Sequence, residues 1–456
     1  MKTSRIITWP KAPTISIRKA TTQSQRMKRM THGTACAGLI AAKPNGVCGV
    51  GVAYRAKISA IRLIAKSTTD QEMAKALQYR NDINDIYSCS WGPKDDKTHV
   101  HGISDTVKGA FFNSTHKGRD GKGSIYVFAA GNEAKDQDNC SFNVYSNLIE
   151  TITVGAIDRD DIKSDYSEWC TSLLISTYSS QDRKSAIYTT SKTSDKCRDD
   201  FGGTSAAAPQ VAGVIALGLE ARPDLTWRDV QNVLIQSAVT VQEDHSSWET
   251  THSGRPYSPF YGYGKIDASR FVDLAKSISL LGPQTKYMSP IQDVAKTIPY
   301  SQSGLGSYIY VSKEDLKAVK LERLEHVTVT VKILHNRVAD LFIDLVSPNN
   351  IRSPLVVSRQ NDKSTSGFQD STFLTLKHWH EPAVGNWSLW VYDLDQPSTQ
   401  GQFVSWELTL YGESPAGLTA LEIFIIVISC LGTLLLIAGA IYTYIRYFRK
   451  KQTPDT

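Results

Sequence analysis

The sequence predicts an α/β domain with a doubly wound parallel sheet, then an all-β domain and one apolar span near the C-terminus. Nearly continuous apolar runs alternate with helical patterns up to about residue 275, which is typical of parallel strands buried on both faces. From residue 287 to 412 the pattern changes to alternating strands separated by turn residues. Residues 423–445 then carry no charge. These three changes define the predicted order of the domains.

In the first domain, residues 58–64 (ISAIRLI) and 124–130 (SIYVFAA) are predicted to be buried parallel strands. A buried helix is predicted from Ala206 to Leu219, with small residues that allow close packing. Residues 261–268 (YGYGKIDA) close this domain. Strands that alternate with helices indicate a parallel sheet covered by helices on both faces.

In the second domain, residues 327–331 (VTVTV) and 387–392 (WSLWVY) are predicted strands, and 347–350 (SPNN) is a turn. Two-residue alternation with frequent turns predicts a β-sandwich. The apolar span 423–445 is long enough to cross a bilayer, and Arg446, Arg449, Lys450 and Lys451 follow it. Positive charge on that side predicts a short cytosolic tail, 446–456, and a luminal position for the domains before the span.

Three motifs predict serine-based acyl transfer. His32 lies in THGTACAG, Asn132 ends the run AAGN, and Ser205 lies in GTSAAAP. A serine hydroxyl is a weak nucleophile until a neighbouring base takes its proton, and histidine is the usual base. An asparagine amide can donate to the oxyanion of the tetrahedral intermediate. Each motif alone is a weak signal, but the three together indicate one catalytic site.

With these motifs in the order His, Asn, Ser, the chain resembles the kexin/furin-type proprotein convertases, especially their membrane-anchored type 7 branch. The strings that carry the resemblance are NDIYSCSWGP (84–93), GSIYV (123–127), LTWRDVQ (225–231) and RLEHV (323–327). The resemblance implies a subtilisin-like peptidase domain over 31–275 and a P domain over 287–412. It also implies that His32 is the general base, Asn132 the oxyanion donor and Ser205 the nucleophile.

The resemblance further implies a calcium-dependent serine endopeptidase that cleaves proproteins after basic residues. Its expected location is the Golgi or trans-Golgi network, as a single-pass type I membrane protein with a luminal catalytic domain. The implied substrate-binding residues are Asp95, Asn143 and Tyr145, and the implied calcium ligands are Asp95, Asp138 and Glu168. Asn143 stands where the family has a carboxylate, so we expect weaker selectivity for basic side chains.

Seven cysteines and three glycosylation sequons fit the lumen of the secretory pathway. The cysteine spacing leaves the connectivity open, whereas the resemblance pairs Cys48 with Cys197 and Cys140 with Cys170, and leaves Cys36 free. The sequons begin at Asn113, Asn139 and Asn386. The H-x-H pairs His99/His101 and His378/His380 lack a neighbouring acid or cysteine cluster, so we interpret them as exposed loop residues rather than metal ligands.

The N-terminal region departs from the family. Residues 1–30 are basic and do not resemble it, and no Asp or Glu occurs before Asp70, so the triad aspartate is absent from this chain. We therefore expect a sheet that is incomplete at its N-terminus. Two hypotheses follow: an active convertase represented by a truncated sequence, or an inactive membrane-tethered binding or decoy protein. The retained His32, Asn132 and Ser205 favour the first. The membrane span and the sequons argue against a nucleic-acid partner.

Overall fold

A six-stranded parallel sheet forms the centre of the first domain, in the order β2-β1-β3-β4-β5-β6. This computed structural model describes residues 5–7, 23–64, 67–93, 102–181, 186–191, 197–394, 401–415, 428, 433–434 and 436–445. The strands of the sheet are β1 (Arg5–Ile7), β2 (Lys57–Ser59), β3 (Ile86–Cys89), β4 (Ile125–Ala129), β5 (Thr151–Ile157) and β6 (Leu173–Tyr178). The predicted strand 124–130 corresponds to β4, whereas only the start of the predicted strand 58–64 is paired, in β2.

Helices cover both faces of this sheet, which confirms the predicted α/β fold. They are α1 (Gln23–Ala41), α2 (Asp70–Leu77), α3 (Asp105–Lys117), α4 (Thr204–Ala221), α5 (Trp227–Ser237) and α6 (Ala268–Ser277). Ile125 and Val127 of β4 belong to the same buried cluster as the apolar residues of α4. Tyr126 and Phe128 point the other way and pack with Phe111 of α3. Alternate side chains of one strand therefore fill two separate cores.

The opening segment contributes a strand to this sheet, which corrects the expectation that the sheet is incomplete at its N-terminus. The backbone of β1 lies between β2 and β3, and Ile6 is in register with Ile58 on one side and Ile86 on the other. A gap at this place would leave two rows of backbone N–H and C=O groups unpaired. The short basic segment satisfies these groups, although its residue types give no family signal.

Two short antiparallel hairpins complete the first domain. They are formed by β7 (Ile187–Thr190) with β8 (Cys197–Phe201), and by β9 (Glu249–Thr250) with β10 (Pro256–Tyr257). The first hairpin packs on helix α1, where Thr189 Oγ1 and Thr190 Oγ1 donate to the carbonyl oxygens of Ala35 and Thr34 at 2.7 Å. This hairpin therefore fixes the helix that carries His32.

The second domain is a sandwich of two antiparallel sheets, as the sequence predicts. Its strands are β11 (Gln284–Met288), β12 (Gln292–Ile298), β13 (Leu305–Val311), β14 (Arg323–His335), β15 (Leu341–Val346), β16 (Arg352–Val356), β17 (Phe368–Thr375), β18 (Gly385–Asp393) and β19 (Gly401–Glu413), with a short helix α7 (Lys313–Ala318). One sheet has the order β11-β19-β14-β17, with β12 also on β19, and the other has the order β13-β18-β15-β16. Their inner faces enclose buried Trp387 and Trp406.

The two domains share buried contacts. Leu374, Leu376 and Trp379 of the sandwich belong to the same apolar cluster as helices α4 and α5. The backbone N–H of Leu376 donates to the carbonyl of Thr171 at 2.9 Å. Arg228 of α5 forms an ion pair with Glu325 of β14, and both side chains are almost fully buried. The β-sandwich domain is thus part of the same folded unit as the α/β domain.

One sequence interpretation in the second domain is wrong. His378 is completely buried rather than exposed, since its Nδ1 lies 2.6 Å from Glu381 Oε2 and its Nε2 lies 3.0 Å from Ser353 Oγ. His380 is half-buried. A polar H-x-H string has no local signal that distinguishes a buried hydrogen-bonded turn from an exposed one. The other pair, His99 and His101, lies outside the described residues.

Residues after Ser414 form a separate unit. Within the described part of this unit, residues 428, 433–434 and 436–445 are helical. Among all residues that the structure describes, we find no helix that is both long and apolar enough to cross a membrane. The remainder of the predicted span 423–445 and the tail 446–456 lie outside the described residues.

Candidate active site

His32 lies on helix α1 and is half-buried. Its Nδ1 is 3.7 Å from the Sγ of Cys36, one helical turn further on, and its ring packs edge-on against Phe201 with centroids 5.3 Å apart. Burial lowers the pKa of His32, and the positive charge of Arg198 lowers it further. A lowered pKa keeps the imidazole neutral near pH 7, the form that accepts a proton.

A disulfide and a close backbone approach hold helix α1 in place. Cys48, in the loop after the helix, is bonded to Cys197 of β8, which confirms the predicted pair. A Cβ at Gly38 would lie 2.3 Å from Thr190 Oγ1, so only glycine lets the helix contact β7 this closely. The free thiol predicted at Cys36 is also confirmed.

Ser205 is the second residue of helix α4 and is half-buried. Pro209 lies four residues later and has no N–H to donate to the Ser205 carbonyl. That carbonyl instead accepts from Ser90 Oγ at 3.0 Å and from Cys36 Sγ at 3.6 Å. The proline thus frees the Ser205 carbonyl to tie the start of α4 to strand β3 and to the helix of His32.

Asn132 follows strand β4, and its side chain is oriented by the residue next to Ser205. Asn132 Oδ1 accepts from the Thr204 backbone N–H at 2.8 Å and from Thr204 Oγ1 at 3.0 Å. Because the oxygen receives both bonds, the Nδ2 group remains available to donate to a substrate oxyanion. Gly203, with φ of 76°, makes the close approach possible, since a Cβ there would lie 3.0 Å from Asn132 Oδ1.

These contacts bring the three sequence-predicted residues to one place. Cys36, on the helix of His32, contacts the Ser205 carbonyl, and Thr204 beside Ser205 holds Asn132. Among the residues that the structure describes, no carboxylate is hydrogen-bonded to the His32 ring, whose nearest polar partner is Cys36. The arrangement therefore links a histidine, a serine and an asparagine through their neighbours, and the polar group beside the His32 ring is a thiol.

The predicted substrate residues are only partly described. Asn143 is half-buried, its Oδ1 accepts from the Tyr145 N–H at 3.1 Å, and its Nδ2 lies beside Gly92. Tyr145 is buried and stacks on Phe128 at 5.0 Å, and Trp91 packs edge-on against it at 5.3 Å. Asp95 lies outside the described residues. The described side chains named around Asn143 are thus aromatic.

The two described calcium candidates already have protein partners. Asp138 Oδ1 accepts from Arg359 Nη1 at 2.9 Å and from the Asn139 N–H at 2.8 Å. Glu168 Oε1 accepts from the Glu133 N–H at 3.2 Å, and its carboxylate packs on Gly131. Within the described residues, no group of three or more His, Cys, Asp or Glu side chains is placed to hold a metal. These residues alone therefore do not make a calcium site.

Glu168 instead supports the turn that presents Asn132. It accepts from the N–H of Glu133, and its own N–H donates to the Gly131 carbonyl at 3.2 Å, so it binds both neighbours of Asn132. Gly131 has φ of 126°, and a Cβ there would lie 2.1 Å from Glu168 Oε1. The AAGN motif therefore needs glycine at position 131, because a side chain there would collide with the buried Glu168 carboxylate.

The second predicted disulfide is confirmed, whereas one sequon is buried. Cys140 is bonded to Cys170, both fully buried. Asn139, beside Cys140, is only 2 % exposed and uses its Oδ1 to accept from the Ser141 N–H. Its position therefore does not suit a glycan. Asn113 is half-buried on α3, and Asn386 is exposed on β18.

Sequence reasoning missed the residues that orient the predicted ones. Thr204 and Ser90 lie inside the GTSAAAP and NDIYSCSWGP motifs, but a motif does not show which backbone atom a hydroxyl contacts. Arg359 gave no local signal, because its partner Asp138 is 221 residues away in the sequence.

Comparison with known proteins identifies the family of this chain. A model described as the Subtilase family matches residues 10–264. The chain belongs to the subtilase family. The match includes much of residues 1–30, which the sequence analysis placed outside the family. A second model, the proprotein convertase P-domain, matches residues 324–410. The chain is therefore a kexin- and furin-like member of the family.

Individual relatives support the same assignment. The chain is 44 % identical to "Kexin" of Saccharomyces cerevisiae over 385 residues, which are 84 % of this chain and 47 % of kexin. It is 41 % identical to "Proprotein convertase subtilisin/kexin type 7" of Homo sapiens, covering 84 % of this chain and 49 % of that protein. The chain spans about half the length of these relatives. The two identities are too close to favour type 7 over kexin.

A solved structure shows the same fold. The "serine protease of Aeromonas sobria" superposes with a TM-score of 0.74 at 23 % identity, covering 84 % of this chain and 82 % of that one. At this identity the likeness concerns the fold alone, and it extends over both domains of the subtilase chain.

Proposed function

We propose that this subtilase is a serine endopeptidase that processes proproteins of the secretory pathway. The observation that carries the proposal is the pair of hydrogen bonds from Thr204 to Asn132 Oδ1, which supports a role for Asn132 as an oxyanion donor beside Ser205. This arrangement serves acyl transfer, because the donor stabilises charge that develops only in the transition state.

In the proposed mechanism, Ser205 Oγ attacks the scissile carbonyl carbon while His32 takes the hydroxyl proton. The carbonyl oxygen becomes negative and accepts a hydrogen bond from Asn132 Nδ2. The protonated His32 then gives its proton to the leaving amine as the C–N bond breaks. Water, deprotonated by His32, attacks the acyl ester and releases the carboxylic acid product and free Ser205.

The direct test is cleavage of fluorogenic peptides by the purified protein, with Ser205→Ala as the control. We expect cleavage by the wild-type chain and none above background by the control. Equal rates for both proteins would show that a contaminating protease is responsible. No cleavage by a folded wild-type chain would refute the endopeptidase proposal.

For the substrate, we propose cleavage after basic residues with a modest preference over neutral ones. A relative of 40 % identity in Yarrowia lipolytica carries the name "Dibasic-processing endoprotease". Asn143 places a neutral amide where an acid would attract a cation. We expect Arg-x-Lys-Arg peptides to be cleaved faster than Ala-x-Ala-Ala peptides, and Asn143→Asp to widen the ratio by about tenfold. An unchanged ratio would show that Asn143 does not line the pocket that receives the basic side chain of the substrate.

Calcium dependence is part of the proposal. Buried carboxylates suit Ca²⁺, and Asp95 is the further predicted ligand beside Asp138 and Glu168. An ion there would have to share Asp138 with the guanidinium of Arg359. Loss of cleavage in EGTA, restored by Ca²⁺ and not by Mg²⁺, would support this part. Full activity in EGTA would contradict it.

We also propose that the protein is a type I membrane protein with its folded domains in the lumen of the Golgi or trans-Golgi network. The uncharged residues 423–445 and the basic residues after them support this topology. In cells, Asn386→Gln should remove an endoglycosidase-sensitive mass, because Asn386 is exposed. Protein that is released by alkaline carbonate would contradict the membrane anchor.

The second candidate is a binding protein that retains substrates without cleaving them. It is favoured by one observation: among the described residues, His32 contacts a thiol rather than a carboxylate. Loss of the triad carboxylate costs about 10⁴-fold in turnover in related chemistry. Tight binding of a basic peptide with no cleavage, unchanged in Ser205→Ala, would favour this candidate.

A further inference from the structure

The P domain contacts the catalytic domain at a segment that contains both the oxyanion donor and the pocket floor. We call residues 132–147 the oxyanion segment. It begins at Asn132 and includes Asn143 and Tyr145. Three short 3-10 turns make up its regular structure, Ala134–Asp136, Cys140–Phe142 and Val144–Asn147. A segment without a long helix or strand depends on side-chain ties for its geometry.

Three polar contacts from the P domain supply such ties along the oxyanion segment. Arg359 Nη1 donates to Asp138 Oδ1 at 2.9 Å. Asn361 Nδ2 donates to the Asp136 carbonyl at 3.1 Å. The backbone N–H of Leu374 donates to Asn147 Oδ1 at 3.0 Å. The P domain therefore holds the middle and the end of the segment.

Arg359 is the strongest of the three ties. Its side chain is 2 % exposed, and its guanidinium lies 3.9 Å above the centre of the Phe142 ring. Its Nε and Nη2 bind Asp362 of its own domain, with Nε 3.2 Å from Oδ2. One buried cation thus links a P-domain carboxylate, a catalytic-domain carboxylate and an aromatic ring of the oxyanion segment. Buried charge pairs are costly to break, because the remaining partner stays desolvated.

We propose that Arg359 is a positioning residue for catalysis: it holds the oxyanion segment so that Asn132 and Asn143 keep their places relative to Ser205. The P domain would then act on turnover directly, beyond its contribution to folding. The kinetic part of this inference rests on the proposed endopeptidase function, whereas the structural part does not.

The chain offers a matched control for general interdomain stability. Arg228 is also buried and also pairs with a carboxylate across the domain boundary, and in addition it donates to the backbone carbonyl of Gly282 at 2.8 Å. Arg228 lies on helix α5, and its partners lie on β14 and in the loop before β11, all outside the oxyanion segment. Arg228→Met and Arg359→Met therefore each remove a buried interdomain ion pair, and only Arg359 contacts the oxyanion segment.

The experiment measures hydrogen exchange and peptide cleavage on the full chain for wild type, Arg359→Met, Arg359→Lys and Arg228→Met. In Arg359→Met, amides of 133–147 should exchange about tenfold faster or more, with amides of α5 unchanged. Its kcat should fall about 10²-fold, since small misplacements of catalytic groups have effects of this size. Arg228→Met should keep kcat within about threefold. Arg359→Lys retains the cation and should recover part of both losses.

The outcomes separate the two proposals. Suppose that the wild-type chain cleaves no peptide, while amides 133–147 exchange faster in Arg359→Met. This result would refute the proposed endopeptidase function and would still support the structural role of Arg359. Equal exchange in 133–147 for both methionine variants, or an unchanged kcat in Arg359→Met, would overturn the inference. If Arg359→Met does not fold, Asn361→Ala tests the same idea, because Asn361 is exposed and ties only Asp136. Faster exchange confined to the amides around Asp136 would support the proposed P-domain hold on the oxyanion segment, and no change would overturn it.

Discussion

Acidification should destabilise this protein through one buried histidine at the domain interface. His326 of β14 is fully buried between Trp227 and Trp379, with ring centroids 6.1 and 5.0 Å from it. Its Nε2 lies 2.7 Å from Gln231 Oε1. Gln231 donates its own Nε2 to the Ile149 carbonyl, so Oε1 must accept and His326 Nε2 must carry the proton.

The remaining ring nitrogen makes this histidine sensitive to pH. His326 Nδ1 is buried and has no hydrogen-bond partner in the described structure. Burial lowers the pKa of His326 to about 3, with a further contribution from the charge of Arg228. The unfolded chain has a histidine pKa of about 6.5. Between these values the unfolded state binds a proton that the folded state does not.

Protonation of His326 changes the free energy of unfolding with a definite sign and size. Stability from neutral His326 is fully present above pH 6.5 and is lost as pH falls toward 3, at about 1.4 kcal/mol per pH unit. At pH 5.0 the loss from this residue is therefore about 2 kcal/mol. In His326→Gln, the amide nitrogen still donates to Gln231 but does not titrate. We expect this variant to be about 1–2 kcal/mol less stable at pH 7.5, from lost packing.

The contribution of His326 can be measured by urea unfolding of wild type and His326→Gln at pH 7.5, 6.0 and 5.0, followed by tryptophan fluorescence. The gap between wild type and His326→Gln should close by about 2 kcal/mol from pH 7.5 to 5.0. Other acid-sensitive groups, such as His380, affect both proteins equally and cancel. If the free energy of unfolding fell in parallel with pH for the two proteins, His326 would not be the source of this acid sensitivity.

Three further predictions follow from the site and the interface. Arg228→Met should lower the free energy of unfolding by about 3–5 kcal/mol, because the Glu325 carboxylate then stays buried without a partner. The double variant Arg228→Met with Glu325→Leu should recover most of this loss, since both charges are then gone. The urea midpoints of the two variants check this prediction, and additive losses would contradict it. Asn132→Leu should lower kcat about 10²–10³-fold with little change in KM; steady-state kinetics check this, and a change in KM alone would assign Asn132 to substrate binding. Because the pKa of His32 is lowered, the acidic limb of kcat/KM should lie below about pH 6.5; a limb above that value would contradict the assigned base.

The sequence predicted those features that depend on local patterns. The apolar run 124–130 gave β4, the small residues after Ser205 gave α4, and the alternation at 327–331 gave part of β14. These elements have a periodicity or composition that one window of sequence contains. The two disulfides came from the family resemblance, because spacing alone does not choose among pairings.

Features set by long-range contacts were not predictable in this way. The place of Arg5–Ile7 in the sheet depends on partners at Ile58 and Ile86. The burial of His378 depends on Ser353 and Glu381. Such residues show no signal until the fold brings their partners to them.

Covalent labelling of the nucleophile is the most direct way to decide whether Ser205, His32 and Asn132 form one acyl-transfer site. A fluorophosphonate probe reacts only with a serine that an adjacent base activates. We expect mass spectrometry to find the probe on Ser205 in the wild-type chain, and His32→Ala and Ser205→Ala to lose the label while remaining folded. A folded wild-type chain without label at Ser205, or equal labelling of His32→Ala, would show that these residues do not form such a site.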